Sequence, residues 1–322
     1  MDYHRGTRAR REWPFAKGIM RRVLISPLRT YFRYTPWKWG KRLLWQHVAD
    51  HLWWLETRVT TSTEFGCIAH VDARDIVGRY IYYFGVWEPP LTQWIKERLS
   101  PGDVFIDVGA HVGYYTLLAS TLVGDSGKVV AVEASPEIFE ILRSNVELNH
   151  ADNVRPVNIA AWCSEETAPI FTWPECPPGI TTLVPSWARL WNLEEHGSVR
   201  AAPLSNILES NEIQRARIVK IDVEGAEWQV LYGMKSLLDD CRPDLEIVVE
   251  FTAPARRGNG KAWADLLRFF DVLGFHSYSL ENDYSVAPYI SRRLQRPERL
   301  KHMPADTFQM DVVFSRVDSV SL

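Results

Sequence analysis

Residues 103–133 read DVFIDVGAHVGYYTLLASTLVGDSGKVVAVE, and this stretch decides the fold. Val104, Phe105, Ile106 and Val108 make the short apolar run of a buried strand, which ends in Asp107-Val-Gly-Ala-His-Val-Gly113. Leu117, Leu118, Thr121 and Leu122 then recur at three-to-four spacing, which predicts a helix. A second apolar run, Val129 to Val132, closes on Glu133. Strand, glycine-rich turn, helix, strand and acid, in that order, are half of a mononucleotide-binding α/β unit.

Gly109 and Gly113 let the chain turn tightly and let a ligand approach the backbone. Glu133 lies 20 residues beyond Gly113, where a carboxylate can accept hydrogen bonds from both hydroxyls of a ribose. The turn reads D-x-G-x-x-x-G, not the G-x-G-x-x-G of dinucleotide sites. An acid ahead of the glycines opposes a pyrophosphate but suits a cationic amino acid, such as the methionyl end of S-adenosylmethionine. The residues therefore favour a methyl donor over NAD. A structural turn that binds nothing is the remaining alternative for this segment taken alone.

Composition bounds the rest. Apolar residues are 46% and charged residues 24% of the 322-residue chain, as in a soluble globular protein. The net charge of −3 hides an asymmetry: residues 1–42 hold twelve Lys/Arg against two acids, while the remainder carries −13. A basic arm on an acidic body suggests an anionic contact for the arm: a membrane surface, a polyanion or the body itself. Cys67, Cys163, Cys176 and Cys241 have no metal spacing, so reduced thiols in a cytoplasmic protein are expected. No apolar run is long enough for a transmembrane helix, and the start lacks the apolar core of a secretion signal.

Three parts follow along the chain: a basic, Trp-rich helical extension (1–58), a pre-core module of strands and a helix (59–100), and an α/β domain (101–318). In the extension, Leu44, Val48, Leu52 and Leu55 fall on one helical stripe beside Trp45, Trp53 and Trp54. Packing against the body is the expected role of that stripe, with an interfacial membrane helix as the alternative. The pre-core module predicts strands at Thr60–Thr63, Cys67–Val71 and Tyr80–Phe84, then a helix from Thr92 to Leu99 with Thr92 as N-cap. It is expected to lie over the mouth of the cofactor site. After Glu133, Ser135 and Pro136 suit the N-cap and first turn of a helix with the stripe Ile138, Ile141, Leu142, Val146 and Leu148. A strand is expected over Val154–Ala161, and Ser164–Ser198 reads as a long irregular loop, a candidate lid over the substrate. Strands at Val199–Leu204, Ile218–Val223, Leu245–Phe251, His276–Leu280 and Met310–Phe314, with helices at Ala226–Leu238 and Lys261–Leu273, complete an α/β alternation. That alternation argues for a mostly parallel sheet covered on both faces. Arg292, Arg293, Arg296, Arg299 and Lys301 form a second basic stretch, read as solvated surface.

The other informative stretch is Lys220-Ile-Asp-Val-Glu-Gly-Ala-Glu227. It sets Asp222, Glu224 and Glu227 at the carboxyl end of a strand, the edge where open α/β sheets bind ligands. Acids there also suit a helix N-terminus, so a capping role competes for Glu224 and Glu227. With this motif in place, the chain resembles the FkbM family of S-adenosylmethionine-dependent methyltransferases. The resemblance runs through GVWEPPLTQW (85–94), PGDVFIDVGAHVGYYTLLAS (101–120), VVAVEASPEIFEILRSNVELN (129–149), NVRPVNIAAW (153–162) and VKIDVEGAEWQVLYGM (219–234).

The resemblance implies a Rossmann-like class I methyltransferase fold, a seven-stranded sheet whose last strand runs antiparallel. By position it implies that Asp107, Gly109, Ala110 and Gly113 surround the amino-acid part of the donor, that Glu133 holds the ribose, that Ala134 lies near the adenine, and that His111 can hydrogen-bond the donor. His111 stands where the family usually has Asn, and Ala134 where it commonly has Pro. Asn158 and Ala160 occupy the region that binds adenine through an acid in many class I enzymes, so main-chain contacts are expected there. Asp222 and Glu224 would face the reacting methyl group, either one a candidate base, with Glu250 and Trp162 as weaker acceptor-site candidates. Asp222, Glu224 and Glu250 could also gather a divalent cation, which is left open. O-methylation of a sugar, glycan or natural-product hydroxyl is the implied activity. Trp87, Trp162, Trp173, Trp187 and Trp191 are available to stack on a sugar, although core packing is their commoner role. A non-catalytic or membrane-peripheral donor-binding protein is the alternative, and an NAD(P)-dependent oxidoreductase the next. A small-molecule or glycan acceptor, no nucleic acid, and a cytoplasmic location with peripheral membrane contact through the basic start are expected; oligomeric state stays open.

Overall fold

A computed structural model of the protein describes residues 25–47, 58–173, 180–239, 241–252, 260–281, 283, 285–291, 295–300 and 309–322. The Arg-rich start, the Val48–Leu55 part of the Trp stripe, Cys176 and the Pro-rich segment around it, and Arg292, Arg293 and Lys301 fall outside the described residues.

Among the described residues, fourteen strands form three sheets. A hairpin pairs β1 (Arg58–Ser62) with β2 (Ile68–Asp72). The main sheet holds β3 (Val104–Val108), β4 (Lys128–Glu133), β5 (Val154–Asn158), β10 (Ala216–Ile221), β11 (Glu246–Thr252), β12 (His276–Leu280), β13 (Glu298–Arg299) and β14 (Gln309–Ser315). An accessory sheet holds β6 (Ala160–Ala161), β7 (Glu166–Thr172), β8 (Thr181–Thr182) and β9 (Glu194–Ala202). The main sheet runs β13-β12-β14-β11-β10-β3-β4-β5. Neighbours from β5 to β11 are parallel, and β14 is antiparallel to both β11 and β12. This is the expected seven-stranded sheet with an antiparallel last strand, extended by a two-residue edge strand.

Period two divides the sheet into two apolar faces. Phe105, Val129, Ile218, Val248 and Val313 enter one core cluster, and Ile106, Val130, Val219, Ile247 and Val312 the other. The order of the strands therefore places the carboxyl ends of β4, β3, β10 and β11 side by side. Ile25, Phe32 and Trp45 from the first described helices join the first cluster, where Phe32 and Trp45 meet Tyr83 and Phe84 ring to ring.

Four segments depart from what their local sequence predicts. Tyr80–Phe84 is the end of a helix, Ile76–Phe84, although its aromatic residues favour strands. Asp75 caps that helix by accepting from the Gly78 amide at 3.1 Å, Gly85 closes it at φ +78, and Tyr80 to Phe84 are all buried, so tertiary packing overrides propensity. The next helix spans Pro89–Arg98 with Glu88, not Thr92, at its N-cap; Thr92 instead donates to the Trp87 carbonyl at 2.6 Å. The strand expected over 154–161 breaks after Asn158 and resumes as β6 in a different sheet. The described part of 164–198 is not irregular: it supplies β7, β8, most of β9 and the helix Pro185–Trp191, held by a β7–β9 ladder with a register shift between Pro169 and Phe171. Ser135 caps the helix Pro136–Leu148 as read, accepting from the Ile138 amide at 3.4 Å.

Candidate active site

The site is built where strands end. The Gly109 and Ala110 amides donate to the Val132 carbonyl at 2.9 and 3.0 Å, tying the β3 tip to β4. The Asp222 amide donates to the Val108 carbonyl at 3.0 Å, tying the β10 tip to β3. Gly109 stands at φ +80, and a Cβ there would sit 1.7 Å from the Asp222 carbonyl oxygen. Only glycine lets these two tips touch. Gly113, at φ +89, opens the helix Tyr114–Val123, and a Cβ there would strike Leu142 at 2.6 Å. The two motifs thus meet at the carboxyl edge of the sheet, where open α/β folds place their ligand crevice.

At the tip of β4, Glu133 is 6% exposed and already accepts two backbone donors: the His111 amide on Oε2 and the Ser135 amide on Oε1, each at 2.9 Å. These bonds fix the carboxylate and leave each oxygen a lone pair, which is what a vicinal diol requires. Burial pushes the Glu133 carboxyl above its ordinary range, against the pull of the Ser135 amide. His111 takes a left-handed φ of +51, and its buried Nδ1 meets no hydrogen-bond partner. Asn158, exposed, donates to the Glu133 and Ala134 carbonyls at 2.9 and 3.2 Å, so its side chain shapes the turn. Ala110 and Ala160 are buried in small apolar clusters, Ala160 in register with Ala201 of the accessory sheet. Trp162 packs on that same cluster, and its carbonyl lies where a Cβ on Gly233 would be.

At the Asp222 end, period two and register line up the acids. Lys220 is the Cα partner of Asp107 on one side, and Glu250 is the Cα partner of Asp311 on the other. Lys220, with its side chain 5% exposed, donates to Asp222 Oδ2 at 2.9 Å and lies 5.0 Å from the centroid of the Tyr115 ring. Burial would lower this ammonium, but the Asp222, Asp107 and Glu88 charges more than offset that and hold it above its ordinary value. Asp222 is pushed up by burial, and the Lys220 ammonium and a hydrogen bond shared with Glu250 reverse the sign, leaving it below the usual range. Burial and the Asp222 charge hold Glu250 well above that range. Glu250 is therefore the member of the pair that keeps the proton and donates. Glu250 also accepts from Gln309.

Glu224 stands at φ +52, its carboxyl held well up by burial and by the Asp222 and Glu227 charges. Thr182 of β8 donates to its carbonyl at 2.8 Å. Glu227 turns back to accept from the Gly225 amide at 2.8 Å, the capping role weighed for it, and burial pushes it up to about 7. Asp107 is fully buried; Oδ2 accepts from Thr116 at 2.6 Å, while Oδ1 meets no partner. It forms a carboxyl floor beneath the turn, raised by burial and partly restrained by the Lys220 charge.

Three participants escaped the sequence reading. Lys220 was legible, because two residues before Asp222 on a strand means the same face. Asp311 was visible as an acid inside the apolar run of β14. Glu88 was not: only tertiary structure brings it in, 3% exposed, at φ +41, accepting from the Tyr115 hydroxyl at 2.5 Å. From the accessory sheet, Trp187 lies on the 222–227 turn, its indole 2.3 Å from where a Gly225 Cβ would stand, and its Nε1 is buried without a partner. Trp87 is core, and Trp173 donates to the Trp191 carbonyl at 3.0 Å. Among the described residues, no three His, Cys, Asp or Glu side chains are arranged to hold a metal ion. Nor is any described helix long and apolar enough to cross a membrane.

The residues fit a cationic nucleoside: a pre-set carboxyl for a diol at Glu133, an orphaned imidazole nitrogen at His111, and an acidic wall in which Asp222 is held low beside one buried lysine. The strand order and this crevice define a class I S-adenosylmethionine-dependent methyltransferase, with S-adenosylmethionine as cofactor. The chain belongs to the FkbM methyltransferase family, whose domain matches residues 107–277, just over half of its length. A hexuronic acid methyltransferase, AglP, of Haloferax volcanii is 25% identical over 151 residues, 47% of this chain and 58% of that one. "Methyltransferase 1" of Beauveria bassiana is 28% identical over 167 residues, 47% of this chain and 65% of that one. A probable cobalt-precorrin-6B C(15)-methyltransferase of Sulfolobus acidocaldarius is 44% identical over 59 residues, 18% of this chain and 31% of that one. The chain thus spans less than two thirds of the length of each of these relatives. The crystal structure of an S-adenosylmethionine-dependent O-methyltransferase from Thermotoga maritima superposes with a TM-score of 0.40 at 14% identity, covering 81% of this chain and 78% of that one.

Proposed function

We propose that the protein transfers a methyl group to a hydroxyl of a sugar, glycan or natural-product-like small molecule. The observation that carries this reading is the contact between the Gly109 and Asp222 strand tips, which makes one crevice of a diol-binding carboxylate and a row of acids. Family membership supports methyl transfer, and the hexuronic acid specificity of the Haloferax relative supports a sugar hydroxyl.

S-adenosylmethionine, when bound, supplies a methyl carbon already activated by a sulfonium. Glu133 and the His111 turn hold the nucleoside end, and Asp107 and Gly109–Gly113 line its amino-acid end. Alignment of acceptor oxygen with methyl carbon is worth on the order of 7–11 kcal/mol in favourable cases. A hydroxyl also needs its proton removed, and a positioned base adds about 10²–10⁴-fold. The two candidate carboxyls divide these tasks. Asp222, ionised beside Lys220, supplies the fixed negative charge that a sulfonium seeks. Glu224, raised by burial and by the Asp222 and Glu227 charges while Asp222 is lowered, is the more basic of the two and serves as the proton acceptor.

The experiment is calorimetric titration with S-adenosylmethionine and S-adenosylhomocysteine, together with transfer of a tritiated methyl group into fractionated extract and identification of the labelled molecule. Asp222→Asn should weaken the cationic donor more than the neutral product, whereas Glu224→Gln should lower turnover about 10²–10⁴-fold at nearly constant affinity. An Asp222→Asn variant that keeps both affinities and full turnover rejects the assignment, and so does a label recovered on nitrogen or carbon.

A further inference from the structure

The helices Ser26–Tyr34 and Lys41–His47 are joined by a turn pinned from within. Lys41, only 6% exposed, donates to the Phe32 and Thr35 carbonyls at 3.0 and 2.8 Å, at the carboxyl end of the first helix. The Tyr31 hydroxyl donates to the Trp39 carbonyl, and Lys38 Nζ donates to the Ser291 carbonyl at 2.9 Å. Behind the turn, Phe32 and Trp45 are buried edge to face, ring centroids 5.7 Å apart.

Packing explains the inner face and leaves the outer one unexplained. Tyr34, Trp37, Trp39 and Leu43 are 67%, 73%, 90% and 61% exposed. Apolar residues exposed singly need no account, but four within ten residues on a tied backbone are a surface held ready for contact. Lys38 and Arg42, both exposed, lie between them, and residues 1–42 carry a net charge of +10. Indole and phenol rings interleaved with cations suit the headgroup boundary of a bilayer, the rings in the interface and the cations on anionic lipid. A nucleic acid would meet the same cations, but the −13 carried by residues 43–322 repels a long polyanion, whereas a bilayer touches one face only.

We propose that the turn Tyr34–Leu43 is a docking surface for an anionic lipid bilayer. The proposal stands apart from the methyl-transfer reading, and its test involves no turnover. The full-length chain is sedimented with vesicles of phosphatidylcholine alone and of phosphatidylcholine with about 30% phosphatidylserine, in low and high salt. The wild type should bind the anionic vesicles at least about tenfold more tightly and should release them in high salt. A Trp37→Ala/Trp39→Ala double variant, with circular dichroism and S-adenosylhomocysteine affinity unchanged, should lose about tenfold in binding. Val272→Ser, at a side chain 80% exposed elsewhere, should change nothing. Equal binding to both vesicle types overturns the proposal. So does a double variant that binds like the wild type, or a preference for single-stranded RNA over vesicles.

Discussion

Gly109→Ala tests whether the two motif-bearing strands share a crevice. The added Cβ would stand 1.7 Å from the Asp222 carbonyl oxygen and 2.8 Å from its carbon, where contact needs about 3.3 Å. Both partners are backbone in a buried parallel sheet, so the tips must part by roughly 1.6 Å, the difference between those two oxygen distances. Alanine at φ +80 also costs about 1–2 kcal/mol in left-handed strain, and the overpacking adds about 1–3 kcal/mol. Gly274 isolates the first contribution: its φ is +78, and a Cβ there meets nothing within 4 Å. Urea unfolding should therefore show Gly109→Ala to be less stable than Gly274→Ala by about 1–3 kcal/mol. A displacement of an ångström or more at Asp222 should also lower turnover about 10²-fold, and calorimetry should register weaker donor binding. Equal stability losses in the two variants, with donor affinity intact, would refute the shared crevice.

Other outcomes follow from the charges. Glu227, pushed up to about 7 from an ordinary 4.5, is raised in the folded state, so its contribution is fullest below about pH 4.5 and is lost as pH rises to about 7. Glu227→Gln should therefore flatten that stretch of the stability profile, and at pH 8 should be more stable than wild type by up to about 3 kcal/mol in urea unfolding. Lys220→Met leaves Asp222 and Asp107 without their cation and should cost about 3–5 kcal/mol in the same assay. Thr182→Val removes the donor to the Glu224 carbonyl, an expected loss of about 1–3 kcal/mol that thermal or urea unfolding would register.

The sheet was largely legible because its buried strands leave short runs of strand-forming residues, and six of them lie within a few residues of the expected bounds: β3, β4, β10, β11, β12 and β14. The cap at Ser135 was legible because its chemistry is local. Tyr80–Phe84 misled because aromatic residues favour strands in general, while here a hydrophobic cluster surrounds a helix on every side. Ser164–Ser198 misled because a ladder with a register shift leaves a weak alternation, and the proline-rich segment inside it looks like a loop throughout. In the site, Lys220 and Asp311 could have been found from the alternation of their own strands. Glu88 could not, since it lies on no strand and reaches the crevice only through the packing of its helix.

By itself, the sequence determined the strand–helix alternation of the main sheet, the two acid-tipped turns, and the charge imbalance between the first 42 residues and the rest, because each can be read along the chain without knowing how it folds. Only the tertiary structure decided which carboxyl carries charge and which keeps its proton. That choice rests on a buried lysine 2.9 Å from Asp222, on Glu250 sharing its hydrogen bond, and on burial that no local pattern reports. Desolvation and cross-strand distance set proton affinity, and both exist only once the chain has folded.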